Sequence, residues 1–146
     1  MGKKRVIKKM GGSGTQDTLA TIVRKAAATK KKFTDGRIYI SSSYNNTLMT
    51  LTDVKGNTAF SMSAGRLGFK GTRKSTPFAA AKVADALTEA ARTMGVKNIA
   101  IFVKGIGSGR DSALRAFATK DFDIVKIEDV TPIPHNGPRA KKPRRV

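Results

Sequence analysis

Apolar and polar residues alternate with a period of two in three short segments of the first half of the chain. These segments are Arg37–Ser42, Thr47–Thr52 and Thr58–Ser63. Such alternation is typical of strands that bury one face. Asn45 and Asn46 separate the first two segments, and Gly56 and Asn57 separate the second and third; residues of these types favour tight turns. The pattern therefore predicts three antiparallel strands joined by hairpins.

The next segment has the period of an amphipathic helix. Thr76 and Pro77 are preferred residue types for the N-cap and the first helical position, and Gly95 offers a left-handed stop after Met94. These signals bound a helix of about five turns. Its predicted inward stripe consists of Ala80, Val83, Ala84, Leu87, Ala91 and Met94. The small alanines would let the helix backbone lie close to a sheet.

A continuous apolar run, Ile99–Val103, lies within the predicted strand Asn98–Lys104. An uninterrupted run of this length is typical of a strand that is covered on both faces. We therefore predict that this strand forms the centre of the sheet.

A second helix and a last strand complete the predicted domain. A glycine turn, Gly105–Gly109, leads into a helix that extends to about Thr119 with Leu114 and Phe117 inward, and Asp123–Val130 forms the last strand. The element order is β-β-β-α-β-α-β. Crossovers through helices join parallel strands by right-handed connections. We expect an α/β fold in which helices pack on a mixed sheet.

Charge divides the chain into three parts. Residues 1–32 carry ten basic and one acidic residue, residues 33–130 fourteen and nine, and residues 131–146 five and none. We predict a basic N-terminal arm (1–32), a globular α/β RNA-binding domain (33–130) and a basic extended C-terminal tail (131–146). A net charge of +19 is best neutralised by a polyanion, which favours nucleic acid as the partner.

The N-terminal arm supports two further interpretations. Leu19 and Ile22 fall at helical spacing, and Ser13 with Gln16 fits a capping box, so a short helix is predicted there. A basic amphipathic start is also typical of an organelle transit peptide, although Asp17 and the Lys/Gly bias fit that interpretation poorly.

Several classes of chemistry lack their residues. The chain has no cysteine and one histidine, His135, which has no partner at triad or metal-ligand spacing. No apolar run has the length of a bilayer span, and Met1 does not begin a signal-peptide pattern. We expect no enzyme activity, cofactor, metal site, membrane partner or small-molecule substrate.

A basic loop after the third strand is a candidate nucleic-acid contact. Arg66, Lys70, Arg73 and Lys74 share a segment with three glycines and no acid. Glycine lets one backbone approach another, while lysine and arginine neutralise phosphates. We expect this loop to contact RNA; solvated surface charge is the alternative.

The turn Gly105–Gly109 is the second candidate. A glycine turn before a helix can bind phosphate at the helix N-terminus. Arg110 stands where a dinucleotide fingerprint needs glycine, which favours an RNA phosphate over a mononucleotide. A plain strand-to-helix turn, a nucleotide-binding or hydrolysing enzyme, and a general nucleic-acid condensing protein are the alternative interpretations.

Four separated motifs occur in a specific order between about Asp35 and Val146. They are Tyr44–Thr47 with Asp53, Lys74–Ala79, Lys104–Arg110 and Asp129–Gly137. In this order the motifs resemble the universal family of the eleventh small-subunit ribosomal protein, in its bacterial type. The resemblance implies a ribonuclease H-like fold and a structural role in the platform of the small subunit, near the messenger RNA and exit-site tRNA path. Implied partners are small-subunit ribosomal RNA and neighbouring ribosomal proteins, with messenger RNA as a further candidate, on a cytoplasmic or organellar ribosome.

The resemblance also implies a set of RNA-contacting residues. By motif they are Asn45, Asn46, Arg73, Lys74, Ser75, Arg110, Arg115, His135, Arg139, Lys141, Lys142, Arg144 and Arg145. We add Arg66 and Lys70 from the basic loop. The chain departs from the family pattern at Ile106 and Ser108, where prolines are usual. No nuclease activity is implied, because the predicted first and fourth strands contain no acid that could hold catalytic metals.

Overall fold

The computed structural model describes residues 32–143 of the chain. The strands are β1 (Asp35–Ser42), β2 (Thr47–Asp53), β3 (Thr58–Ser63), β4 (Asn98–Lys104) and β5 (Asp123–Asp129). The α-helices in this part of the chain are α1 (Pro77–Met94) and α2 (Gly109–Ala118), and two short 3-10 helices span Gly65–Leu67 and Gly71–Ser75. The helix predicted near Ser13 and Gln16 lies outside the described residues.

The five strands form one mixed sheet in the order β3-β2-β1-β4-β5. β1 is antiparallel to β2 and β2 to β3, whereas β1, β4 and β5 are parallel. The predicted α/β class with a mixed sheet and two helices is therefore confirmed. The predicted centre is wrong, because β1 and not β4 occupies the middle position.

β4 is also not covered on both faces. α1 packs against β2 and β3, α2 packs against β1, and the two helices pack against each other, so both lie on one face. Ile99, Ile101 and Val103 face the helices and are buried, whereas Ala100 and Phe102 on the other face are only half-buried. On the face that the helices leave uncovered, Phe102 stacks on the ring of Tyr39. This contact, and not a second layer of helices, accommodates the apolar residue there.

α1 begins and ends as its sequence predicts. The Thr76 hydroxyl accepts a hydrogen bond from the Ala79 amide at 3.2 Å, and Gly95 ends the helix at φ 81°. All six residues of the predicted inward stripe are buried. Phe117 of α2 is buried as predicted, and Leu114 is half-buried against the core. No described helix is long and apolar enough to cross a membrane.

The chain segments that carry the predicted site residues meet at one end of the sheet. Because β1, β4 and β5 are parallel, their carboxyl ends lie together, and β3 also finishes there. We call this region the loop end. It consists of the β1–β2 turn (43–46), the basic loop (64–76), the glycine turn (105–108) and the start of the tail (130–131).

Candidate nucleic-acid interface

The glycine turn lies directly on the β1–β2 hairpin. The Gly107 amide donates to the Ser42 carbonyl at 3.1 Å. A methyl group on Gly105 would overlap that carbonyl, and one on Gly107 would overlap the carbonyl of Ser43. These glycines are therefore needed for close backbone packing within the protein. The same packing fixes the position of the first turn of α2.

Arg110 is tied into the protein by its guanidinium group. Its Nη1 donates to the Gly105 carbonyl at 3.0 Å, and its Nη2 pairs with the Asp129 carboxylate at 2.5 Å. The side chain is 29% exposed, so one edge of the group still reaches solvent. A guanidinium carries five N–H donors, and the contacts with Gly105 and Asp129 do not use all of them.

Asp129 holds the first residue of the tail as well as Arg110. Its carboxylate accepts from the Thr131 hydroxyl at 2.6 Å and from the Thr131 amide at 2.9 Å. These hydrogen bonds, first from the Thr131 hydroxyl and then from Arg110, lower the pKa of Asp129 from 3.8 to about 2. The Gly105 amide in turn donates to the Thr131 hydroxyl at 3.1 Å. The tail therefore leaves the sheet at a fixed point beside the glycine turn.

The basic loop is built on two left-handed glycines. Gly68 and Gly71 have φ of 91° and 60°, a conformation that glycine adopts without strain. Arg73 is exposed, and Lys74 and Ser75 are half-buried. The Ser75 carbonyl accepts a hydrogen bond from the Ser108 hydroxyl at 2.8 Å, which joins the basic loop to the glycine turn.

Arg66 and Lys70 lie at the outer side of the same loop and are exposed. The Arg66 Nη1 donates to the Ser61 carbonyl at 2.9 Å, and its guanidinium carbon lies 5.9 Å from the centre of the Phe60 ring. Arg66 is thus directed along the edge of β3. No acid occurs in the sequence between Asp53 and Asp85, so the field over this loop is positive.

The β1–β2 turn completes the loop end. Asn45 is exposed and Asn46 is half-buried, and the Ser43 hydroxyl accepts from the Asn46 amide at 3.1 Å. Tyr44 at the tip is 74% exposed. The Ala64 amide donates to the Thr47 carbonyl at 3.2 Å, so the turn is held against the start of the basic loop.

Three buried polar atoms near this turn have no hydrogen-bond partner among the described residues. They are Ser42 Oγ, Asn46 Oδ1 and Thr47 Oγ1. Ser42 and Thr47 carry no signal in the sequence, because a hydroxyl at a strand end resembles any other surface hydroxyl. Only the fold shows that Gly107 lies against the Ser42 hydroxyl and that Gly109, at the start of α2, lies against the Thr47 hydroxyl.

The remaining predicted residues lie away from this centre. Arg115 is exposed in the second turn of α2, beside a groove between the helices where Lys120 pairs with Asp85 at 2.8 Å. Four residues of the exposed tail belong to the predicted set: His135, Arg139, Lys141 and Lys142. Arg144 and Arg145 lie outside the described residues. Within residues 32–143 no group of His, Asp and Glu is arranged to hold a metal ion.

Comparisons with known proteins support the family that the sequence motifs indicate. The sequence profile of the family described as ribosomal protein S11 matches residues 36–145. The chain is 52% identical over 126 residues to the small ribosomal subunit protein uS11 of Colwellia psychrerythraea, an alignment that covers 86% of this chain and 98% of that protein. The profile covers the sheet, both helices and most of the tail. On this evidence the chain belongs to the ribosomal protein S11 family, as a ribosomal protein of the small subunit.

Proposed function

We propose that this protein is a structural constituent of the small subunit that binds ribosomal RNA in the platform region through its loop end. The observation that carries the proposal is the convergence of the basic loop, the glycine turn and the start of the tail at one end of the sheet. Arg73 and Lys74 supply charge there from a segment that contains no acid between Asp53 and Asp85, and RNA phosphates supply the matching charge.

The chain performs this role in three parts. Residues 33–130 form a rigid α/β domain of ribonuclease H-like type, used as a scaffold without catalysis. The cations of the arm (1–32) and of the tail (131–146) contact RNA phosphates. Asn45, Asn46 and Ser75 donate and accept hydrogen bonds at base edges or ribose hydroxyls, while Arg110, Arg115 and His135 extend the contact.

Its partners follow from this placement. Neighbouring small-subunit proteins contact the domain, and the tail lies near the messenger RNA and exit-site tRNA path on the ribosome. The glycine turn is built for packing, since its backbone lies against Ser42 and Ser43. This close packing supports an RNA-binding scaffold over nucleotide hydrolysis. Equilibrium dialysis with ATP and GTP is expected to detect no binding.

A salt-dependent binding measurement tests the proposal. The full chain is titrated with transcribed platform RNA at several salt concentrations, and Arg73→Ala with Lys74→Ala is compared with Lys55→Ala with Lys97→Ala. The control pair also removes two cations, both of them exposed and at the opposite end of the sheet. Each lost phosphate contact lowers the slope of log affinity against log salt by about 1. The loop-end pair should lower the slope by about 2 and the control pair should leave it unchanged; equal losses would contradict the proposal.

A further inference from the structure

Both helices pack on one face of the sheet, and the side chains of the other face, apart from the buried Thr52, remain half-buried or exposed. We call this surface the open face. Its residues are Arg37, Tyr39 and Ser41 on β1, Leu48 and Thr50 on β2, Ser61 on β3, Phe102 and Lys104 on β4, and Lys126 and Glu128 on β5. The loop-end contacts described above do not involve this surface, apart from the edge occupied by Arg66.

Two aromatic rings stand at the centre of the open face. Tyr39 and Phe102 are register partners on β1 and β4, and their rings are stacked with centroids 5.0 Å apart and planes at 16°. Phe102 therefore covers one side of the Tyr39 ring. The other side looks toward β2, where the register partner is Thr50.

Small side chains occupy the register positions between the Tyr39 ring and the edge of β3, and we call this strip the trough. Thr50 is paired with Ser61 on β3, so two small hydroxylated side chains form its floor. Neighbouring strands are about 4.8 Å apart, which makes the trough about 10 Å wide from Tyr39 to β3. Its far side is the edge of β3, where Arg66 donates to the Ser61 carbonyl while its guanidinium lies over the Phe60 ring of the helix-covered face. The trough thus has an aromatic wall and a hydroxyl floor.

Positive charge is in excess on the open face. Arg37 and Lys104 flank the ring pair along β1 and β4, and Glu128 is neutralised by Lys126 at 2.6 Å. The end opposite the loop end carries both signs of charge, with Asp35 and Asp123 at the starts of β1 and β5 and the exposed Lys97 just before β4. The two cations beside the rings therefore favour a polyanion on this face.

We infer that the open face is a second RNA contact, on which an unpaired nucleotide stacks its base against Tyr39 in the trough. Single-stranded RNA is bound by aromatic side chains on sheets, with cations along the backbone path. The Thr50 and Ser61 hydroxyls can donate to or accept from a base edge or a ribose hydroxyl. Lysine is depleted in protein–protein interfaces, so Lys104 and Lys126 favour RNA as the occupant. The inference rests on the proposed function only for the class of ligand.

Binding of a short oligouridylate to the full chain tests this inference. Tyr39→Leu keeps an apolar side chain but removes the ring, and it should weaken affinity by about 5- to 100-fold, as expected for a lost base–aromatic stack. Phe102→Leu removes only the ring that supports Tyr39 from its other side, and it should weaken affinity less than Tyr39→Leu does. Tyr39→Phe keeps the ring and is the matched control, with affinity expected to match that of the unchanged protein. Urea unfolding of each variant reports whether the fold is intact.

Nuclear magnetic resonance gives a second measurement that does not depend on affinity. The chain has two tyrosines and no tryptophan, so Tyr44→Phe leaves Tyr39 as the one tyrosine. A base stacked on its ring should move the Tyr39 ring-proton resonances upfield when oligouridylate is added. Unmoved resonances, with unchanged affinity in folded leucine variants, would overturn the inference.

The outcomes separate this inference from the proposed function. Arg73→Ala with Lys74→Ala should weaken binding of platform RNA and still show the Tyr39 shift. If Arg73→Ala with Lys74→Ala does not weaken binding of platform RNA, the proposed function is refuted and the open-face contact is not. If the Tyr39 resonances do not shift, the open-face contact is refuted and the proposed function is not. Leucine variants that bind oligouridylate normally but do not enter small subunits would show that the face docks a protein, which also overturns the inference.

Discussion

Arg110 and Asp129 form an ion pair that joins the first turn of α2 to the end of β5 and the start of the tail. The same carboxylate accepts two hydrogen bonds from Thr131, whose hydroxyl accepts from the Gly105 amide. Two stretches that are distant in sequence, 105–110 and 129–131, are thereby fixed to each other. The direction in which the basic tail leaves the domain depends on this small network.

The network should make stability depend on acid pH. The pKa of Asp129 is lowered from 3.8 to about 2 in the folded protein, so the folded state favours the ionised carboxylate. This stabilisation is complete above the unfolded pKa and is lost as pH falls from about 3.8 to about 2. Asp129→Asn should therefore lower the urea midpoint at pH 7 relative to the unchanged protein.

The difference between the two proteins should disappear near pH 2. Carbon NMR of the Asp129 carboxyl, followed through the same pH range, gives its pKa directly. A midpoint close to 4 would contradict the network as described. Asp111→Asn, an exposed carboxylate in the first turn of α2, is the control for the general effect of losing one negative charge.

Gly107→Ala should destabilise the fold through steric overlap alone. A methyl group there would overlap the Ser43 carbonyl and the Ser42 hydroxyl, and overpacking of this kind costs about 1–3 kcal/mol. Gly65→Ala is the matched control, because its nearest atom would be a lysine side-chain carbon at 3.7 Å. The control should change the free energy of unfolding by less than about 0.5 kcal/mol. Equal effects in chemical denaturation would show that the turn has room to relax.

Leu87→Ala tests the contact between α1 and the sheet. Leu87 is fully buried in the core, and removing a buried leucine side chain costs about 2–5 kcal/mol because it loses apolar burial and leaves a cavity. Val54→Ala in the β2–β3 turn is the control, since Val54 is 54% exposed. A loss below about 1 kcal/mol for Leu87→Ala would indicate that α1 packs less tightly than described.

Truncation after Thr131 tests the tail. It removes five cations (Arg139, Lys141, Lys142, Arg144 and Arg145) and keeps the threonine that binds Asp129. Residues 132–143 form no strand or helix and are exposed, so the urea midpoint should not change. Affinity for platform RNA should fall, and its salt slope should decrease by up to about 5 if every cation meets a phosphate. An unchanged slope would exclude the tail from the RNA contact.

Local signals in the sequence determined much of the fold. The caps Thr76 and Gly95 bound α1 because side-chain and left-handed capping depend on neighbouring residues alone. The stripe from Ala80 to Met94 is buried because helical spacing places those residues on one face. The four motifs also sufficed to indicate the ribosomal protein S11 family.

The candidate site was predictable only in its parts. Arg73 and Lys74 are indicated by charge and glycine content, which can be read along the chain. The hydrogen bond from Ser108 to Ser75 joins residues 33 positions apart, and no local pattern encodes it. The buried hydroxyls of Ser42 and Thr47 are likewise invisible in sequence, because burial depends on which segment covers them.

The sequence by itself determined the helix and strand positions, the positive loops and the family, because these depend on periodicity, capping and composition. Only the tertiary structure decided the strand order, which places β1 at the centre, and the side of the sheet on which both helices pack. The apolar run Ile99–Val103 is compatible with coverage on one or both faces, since Phe102 can pack against a helix or against Tyr39. Side-chain packing between distant segments selects the second arrangement and leaves the aromatic face open.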